Sequence, residues 1–481
     1  MEPRSSLQVA WGIPLQFSAV LDEAGTSSFP PAEMFQKPVF SFDPSGSRDG
    51  TWTQKQLQMT GPYDRATFER KRARIAVICE SRRRGDVAET VADFLEGLPE
   101  IKSTKGLVPH GTGLLGRFRL QKPHVEFFEA SYDSASAYAE AARSALMAAG
   151  TREEPWDLAL LQVRRAWKDR PVHNSPYWSA KAAFLRRDVP VQALSIEMIA
   201  LNDFEYACAL ANASLATYAK LGGTPWLPRA RPSTDHELVF GLGSHLHKEG
   251  RRGSGERVVG ITTVFSSQGN YLLDARTAAV PFNRYPETLR TTLVTAIERV
   301  RKDEAWRVGD TVRLVFHAFT QLQQETANAV IEAVANMGLS GVKFAFLHVV
   351  EDRPFTLFDR SSPDGKGAYV PERGQAIELN EHEWLLTVTG REQIKAGFQG
   401  IPDPLLLRLH DKSTLRDMRT STRQVSDFAS HSWRTYDRAR LPITLLYADE
   451  IAKQLTGLEH TPGWDPDTPV VGSIMRRPWF L

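Results

Sequence analysis

The chain has 481 residues, 42% hydrophobic and 24% charged, values that exclude wholesale disorder and collagen-like repeats. Its 59 Lys and Arg residues against 57 Asp and Glu leave a net charge of +2, so any basic groove for nucleic acid must be local. Cys79 and Cys208 each stand in an apolar run and read as two buried thiols in a reducing compartment rather than a disulfide. The opening stretch, MEPRSSLQVAWGIPL, lacks a charged segment followed by a sustained apolar one, so no secretion signal is expected. No apolar run reaches ~18 residues, so a cytoplasmic protein with no membrane span is expected.

At roughly 100–200 residues per domain, two to four domains are expected. Residues 1–65, rich in Pro, Gly, Ser and Asp, read as an irregular lead-in. A basic stretch, Arg70, Lys71, Arg72 and Arg74, runs into the β-rich Ile75 to Cys79. Helical periodicity follows over Gly85–Leu98 and Ser134–Ala149, then a buried strand at Asp157–Val163. Helix and strand alternate again through Tyr177–Arg187, Val191–Ile196 and a long helix ending at Lys220, stopped by Gly222, Gly223 and Pro225. This alternation predicts an α/β domain, residues 66–225, with a mainly parallel sheet. Beyond Pro232, Glu237–Gly243, Arg257–Ser266 and Asn270–Ala275 predict an antiparallel meander. Helix Pro286–Arg301, strand Val312–Phe319, helix Gln323–Asn336, strand Val342–Val350, more β at Trp384–Val388 and helix Tyr447–Leu455 complete the pattern of an RNase H-like domain, residues 226–481.

Three short motifs have ordinary readings. Gly111, Gly113 and Gly116 form a GxGxxG, but no strand precedes it, so a flexible loop is expected rather than a dinucleotide site. His245 and His247 make an HxH with no partner ligands at metal-site spacing, and are expected in an exposed turn. Arg82, Arg83 and Arg84 cluster at a helix start, as a solvated loop would.

Tyr177 to Lys220 is more specific. Tyr177 and Lys181, four residues apart, share a helix face; Gln192 begins the next strand and Lys220 ends the helix after it. Two ammonium groups, a phenol and an amide suit a terminal phosphate, and the tyrosine ring suits stacking on a base. The pattern Tyr-x₃-Lys, Gln, then Lys-Leu-Gly-Gly resembles the guide 5′-phosphate pocket of Argonaute MID domains. That resemblance implies a Rossmann-like MID domain followed by an RNase H-like PIWI domain. It also implies Mg²⁺ at the guide 5′-phosphate, held by Gln192 and by the carboxylate of Leu481 after the apolar Pro478-Trp479-Phe480.

RNase H-type cleavage needs a carboxylate cluster holding two metal ions. In the slicing members the first aspartate falls where this chain has Gly243 and the second where it has Ala318; the last position matches Asp449. The resemblance therefore implies binding without slicing, and no glutamate finger aligns between Gly243 and Ala318. The short lead-in resembles the short prokaryotic Argonautes. That group implies a 5′-phosphorylated small guide RNA, a single-stranded DNA target from plasmid or phage, and a heterodimer with an APAZ-domain protein. The partner would carry a sirtuin-like or TIR effector that depletes NAD in abortive infection. The competing expectations are a divergent metal-dependent RNase H-like nuclease, recruiting Asp449 with His245, His247 or Asp274, and a plain RNA-binding scaffold.

Overall fold

The computed structural model describes residues 5–8, 14–17, 32–103, 106, 108–229, 234–248, 256–276, 280–307, 309–337, 341–350, 355–359, 365, 367–394, 400–437, 439–464 and 473–481. They fall into two compact units, Lys37–Val349 with Leu409–Leu481, and Met1–Gln36 with Val350–Arg408.

The larger unit is built on two main sheets, with a small three-stranded one of Phe40–Ser41, Asp49–Gly50 and Leu227–Pro228 beside them. In the first, β1 (Arg74–Glu80) is followed by α1 (Arg84–Glu96), β2 (His124–Ala130), α2 (Ala135–Arg152), β3 (Leu158–Val163), α3 (Pro176–Leu185), β4 (Val191–Ser195) and α4 (Asp203–Lys220). The four strands are parallel, in the order β2-β1-β3-β4. Ile75 to Cys79 and Leu158 to Leu161 are buried throughout, as strands covered on both faces require. Alanines 141, 142, 145 and 149 of α2 let that helix pack closely on Ile78, Ala159 and Leu161, with Phe184 of α3 beside them. Side-chain oxygens start two of the helices: Ser134 accepts from the Ala137 amide at 3.3 Å and Asn202 from Glu205 at 3.0 Å. Pro176 occupies the first turn of α3, where its missing N–H costs nothing.

The second sheet is built as the sequence predicts. Strands β5 (His236–Lys248), β6 (Glu256–Ser266) and β7 (Tyr271–Arg276) form an antiparallel meander. After α5 (Tyr285–Asp303), β8 (Val312–Ala318) joins the far side of β5 in parallel. Then α6 (Gln324–Asn336) leads to β9 (Lys343–Val350), parallel to β8. Leu289, Leu293, Ile297, Val330 and Val334 of the two helices close one face over Phe240, Leu314 and Phe316. Helices α7 (Met418–Ala429) and α8 (Ile443–Glu459) follow. The residues of β5 that alternate with Phe240 face α8. There a Cβ on Gly241 would lie 2.1 Å from the Thr444 carbonyl oxygen, so only glycine admits the crossing.

In the smaller unit, Ala32–Met34, Gln375–Asn380, Glu383–Leu386 and Leu405–Leu409 pair antiparallel around Ile377, Leu385 and Leu406. Ser5–Gln8 pairs with Pro14–Phe17.

Several local expectations change. The lead-in carries a helix, Thr53–Thr60, and the strands Phe40–Ser41 and Asp49–Gly50. The GxGxxG is no flexible loop, because Gly113–Phe118 is helical. Gly113 (φ +58°) and Gly97 (φ +97°) cross so closely that a Cβ on Gly97 would lie 2.2 Å from the Gly113 nitrogen. The expected turn at His245 and His247 is strand, since β5 runs to Lys248 against β6. Their side chains lie outside the described residues. Each arginine of 82–84 faces an acid: Arg82 Glu80, Arg83 Asp86 at 2.9 Å and Arg84 Glu129 at 3.6 Å. Cys79 and Cys208 are free thiols, and burial pushes Cys79 up to about 11. Among the described residues, no helix is long and apolar enough to cross a membrane.

Candidate functional site

The helical spacing of Tyr177 and Lys181 on α3 sets the Lys181 ammonium 2.9 Å from the Tyr177 hydroxyl, to which it donates. It also donates to Gln454 Oε1 of α8 at 2.6 Å. Three rings surround it, with Nζ 5.3 Å from the Tyr177 centroid, 6.0 Å from Trp178 and 5.9 Å from Trp479. On the other side, Lys220 at the last turn of α4 donates to the Val191 carbonyl at 2.9 Å and to Gln192 Oε1 at 2.8 Å, both on β4. Gln192 Nε2 in turn donates to the Ala193 carbonyl at 2.9 Å.

Both lysines are 1% exposed, whereas Tyr177, Gln192 and Leu481 are half-buried. Every partner just named is neutral, and among the described residues neither ammonium ion-pairs with a carboxylate. Burial, then the Lys181 charge, then Arg434, push the Lys220 pKa well below its ordinary value. Such a pocket holds positive charge in a dry place without an anion, and the group that would relieve it is a compact anion rich in acceptor oxygens.

Trp479 and Phe480 are buried, which brings the tail beside Lys181. The expected Mg²⁺ ligands are tested by Gln192, whose Oε1 already accepts from Lys220 and keeps one lone pair. Among the described residues no group of three or more His, Cys, Asp or Glu side chains could hold a metal ion. Of the two expected ligands, Gln192 therefore keeps an oxygen lone pair for a cation, and the chain ends two residues after the Trp479 ring that lies beside Lys181.

Two further residues border the lysine pair and were missed in the sequence, Gln454 and Arg434, and a third, Asp64, acts behind the pocket on the helix that carries Lys220. The Asp64 carboxylate accepts from the Tyr218 hydroxyl at 2.6 Å and from the Thr224 amide at 2.9 Å, clamping the end of α4 that carries Lys220. Burial raises Asp64 to about 6, against the lowering effect of those two bonds. Nothing local marks them, because each acts across a long stretch of chain.

The positions matched to nuclease carboxylates lie at the crossing of α8 over β5. A Cβ on Gly243 would meet the Ala448 Cβ at 3.0 Å, and Ala318 is buried at the end of β8. Asp449 stands on α8, half-buried, with the Lys453 ammonium 2.6 Å away. Beside the crossing, His317 Nδ1 lies 2.9 Å from the Thr444 hydroxyl, and burial lowers its pKa to about 3. Asp274, which a divergent nuclease would recruit, is buried and accepts from the Tyr271 hydroxyl.

No protein-family model matches the chain. Over 461 residues it is 32% identical to a protein described as Protein argonaute from Cereibacter sphaeroides, an alignment covering 92% of this chain and 58% of that relative. It belongs to the Argonaute family. The Piwi protein of Archaeoglobus fulgidus is 21% identical over 329 residues, 65% of this chain and 73% of that protein. Among solved Argonaute-type structures, that of Clostridium butyricum Argonaute superposes with a TM-score of 0.69 at 16% identity, covering 97% of this chain and 56% of that one. Drosophila Piwi gives 0.63 at 15%, covering 94% and 56%. The Argonaute fold here is α/β, a Rossmann-like MID domain followed by an RNase H-like PIWI domain. The chain spans little more than half the length of the Cereibacter relative.

Proposed function

We propose that this chain, with MID over 66–225 and PIWI over 226–481, anchors the 5′-phosphate of a small guide RNA. Anchored in this way, the guide seed is presented for pairing with single-stranded DNA of an invading plasmid or phage. The observation that carries the reading is the pair of buried ammonium groups, Lys181 and Lys220, whose named partners are all neutral. A terminal phosphate carries roughly −1.5 to −2 charges, about what two such groups can neutralise. Because both lysines are buried, the phosphate reaches them by turning side chains aside, with the half-buried Tyr177 and Gln192 as its further contacts. Mg²⁺, when bound, would be held by Gln192 and the Leu481 carboxylate and would supply positive charge against the phosphate. Sequence selection is then left to base pairing, while the protein holds the backbone. The relative from Clostridium butyricum was solved with a guide DNA and a target DNA, which supports a paired guide as the type of cargo.

In this reading the PIWI domain binds without cutting. Gly243 and Ala318 carry no carboxylate, and Lys453 neutralises Asp449, a set that cannot hold two magnesium ions. The output is assigned to a heterodimeric APAZ-domain partner with a sirtuin-like or TIR effector, switched by target pairing through a population shift.

The test is guide affinity. Lys181→Ala combined with Lys220→Ala should weaken 5′-phosphorylated RNA by roughly 100-fold, as loss of two charge-assisted contacts implies, and leave 5′-hydroxyl RNA almost unchanged. Equal losses for the two RNAs would refute the phosphate pocket. A loss of phosphorylated-guide affinity in EDTA, restored by Mg²⁺, would support the metal.

A further inference from the structure

The face of α3 turned away from Tyr177 and Lys181 opens on a groove shared with α2. One compartment, about 760 Å³, is lined by Ser134, Ala135 and Ser136 at the start of α2 and by Arg143, Arg170 and Arg186. The other, about 690 Å³, shares Arg143, Ala183 and Arg186 with it, has an apolar floor of Leu146, Met147, Pro155 and Trp156, and also meets Arg187, Glu153 and Glu154, the last paired with Arg74. Each volume lies in the range of small-ligand sites.

The charges are unequal. Asp133, at the edge of the first compartment, is taken up by Arg170 at 2.9 and 3.1 Å and by the Trp167 indole N–H at 2.7 Å. Arg186 donates to the Gly463 carbonyl, a neutral partner, and lies over the Trp464 ring at 5.7 Å. Arg143 is exposed. Among the described residues, two guanidinium groups therefore face the compartment without an ion-paired carboxylate, beside the first turn of an 18-residue helix whose dipole favours an anionic ligand. A cationic end next to a largely apolar slot matches a phosphate joined to a flat ring.

We infer that this groove is a second ligand site for a phosphorylated nucleoside. The phosphate sits among Arg143, Arg186 and the start of α2, and the base lies against the Leu146–Trp156 floor. The unit is either a free nucleotide or part of a nucleic-acid strand. The site is separate from the lysine pocket and does not depend on its assignment.

The probe is N-methylanthraniloyl-AMP, titrated into the full chain by fluorescence anisotropy. Arg143→Glu, and independently Ala183→Trp to fill the slot, should each weaken binding roughly tenfold or more. The titrations are made in the Lys181→Ala, Lys220→Ala background, so that the 5′-phosphate pocket proposed above does not take the probe. Competition by AMP alone would identify a free nucleotide, and competition by a 5′-hydroxyl oligonucleotide a strand; either outcome supports the site. Absence of binding to the wild-type chain overturns the inference. So does an absence of binding in the lysine-variant background, or binding in that background that survives both groove variants.

Discussion

Lys220 shows the conflict between stability and binding at the scale of one side chain. A buried ammonium with a strongly lowered pKa destabilises the folded chain wherever the unfolded chain still holds that proton, so stability rises with pH until about 10.5. Lys220→Met removes the charge and leaves the Val191 and Gln192 oxygens without their donor, a smaller loss. The variant without RNA should gain about 1–2 kcal/mol in urea unfolding at pH 7.5 and lose part of the rise between pH 8 and 10. A lower urea midpoint would show that the two hydrogen bonds outweigh the desolvation of the charge. Neither Gln454 nor Arg434 could be read beside this lysine pair, because no periodicity or spacing reports a contact across hundreds of residues.

At the scale of elements, backbone crossings separate one glycine from another. Gly113 combines a left-handed φ of +58° with the Leu95 carbonyl oxygen 2.2 Å from where a Cβ would stand. Gly113→Ala should therefore cost about 2–4 kcal/mol in urea unfolding. Gly150, inside α2 with nothing near its missing Cβ, provides the contrast: Gly150→Ala should gain about 0.5–1 kcal/mol. Similar costs at both positions would contradict the crossing. Elements with a clean apolar period were legible from sequence: β1, β3, the β5–β7 meander and α4 fall within a few residues of their expected bounds. Two of those missed have mixed surfaces, whereas the apolar Leu405–Leu409 went unread because a five-residue run has no period to show. Strand β2, His-Val-Glu-Phe-Phe-Glu-Ala, lies at a sheet edge and carries acids. Helix α7 buries Ser421, Thr422 and Ser426 alongside Val425 and Phe428, so its inward face does not read as apolar. Of the pocket, Tyr177, Lys181, Gln192 and Lys220 were readable from local spacing on consecutive elements, and the structure brings them into two linked pairs.

For the molecule as a whole, three buried histidines set the response to acid. Burial lowers His110 to about 4, His317 to about 3 and His431 to about 4. Below the ordinary 6.5 the unfolded chain takes up protons that these folded rings refuse, so their contribution is complete above 6.5 and is lost as pH falls. Asp64, raised to about 6, acts in the opposite sense and recovers part of the loss. From pH 7.5 to 5.5 these four groups together should lower stability by about 3 kcal/mol, with the histidine share read as the part of the urea-midpoint shift that disappears when the three histidines are replaced by glutamine. A flat profile would mean that the rings are hydrated. The Lys181–Gln454 bond ties α3 to a helix 273 residues further along, so the lysine pocket fastens distant parts of one chain. Any anion that satisfies both ammonium groups binds only the folded arrangement and adds its binding energy to folding. With the proposed guide as that anion, cargo supply would govern how much of the protein survives proteolysis, and unliganded copies would be cleared first, leaving a population that is loaded by attrition.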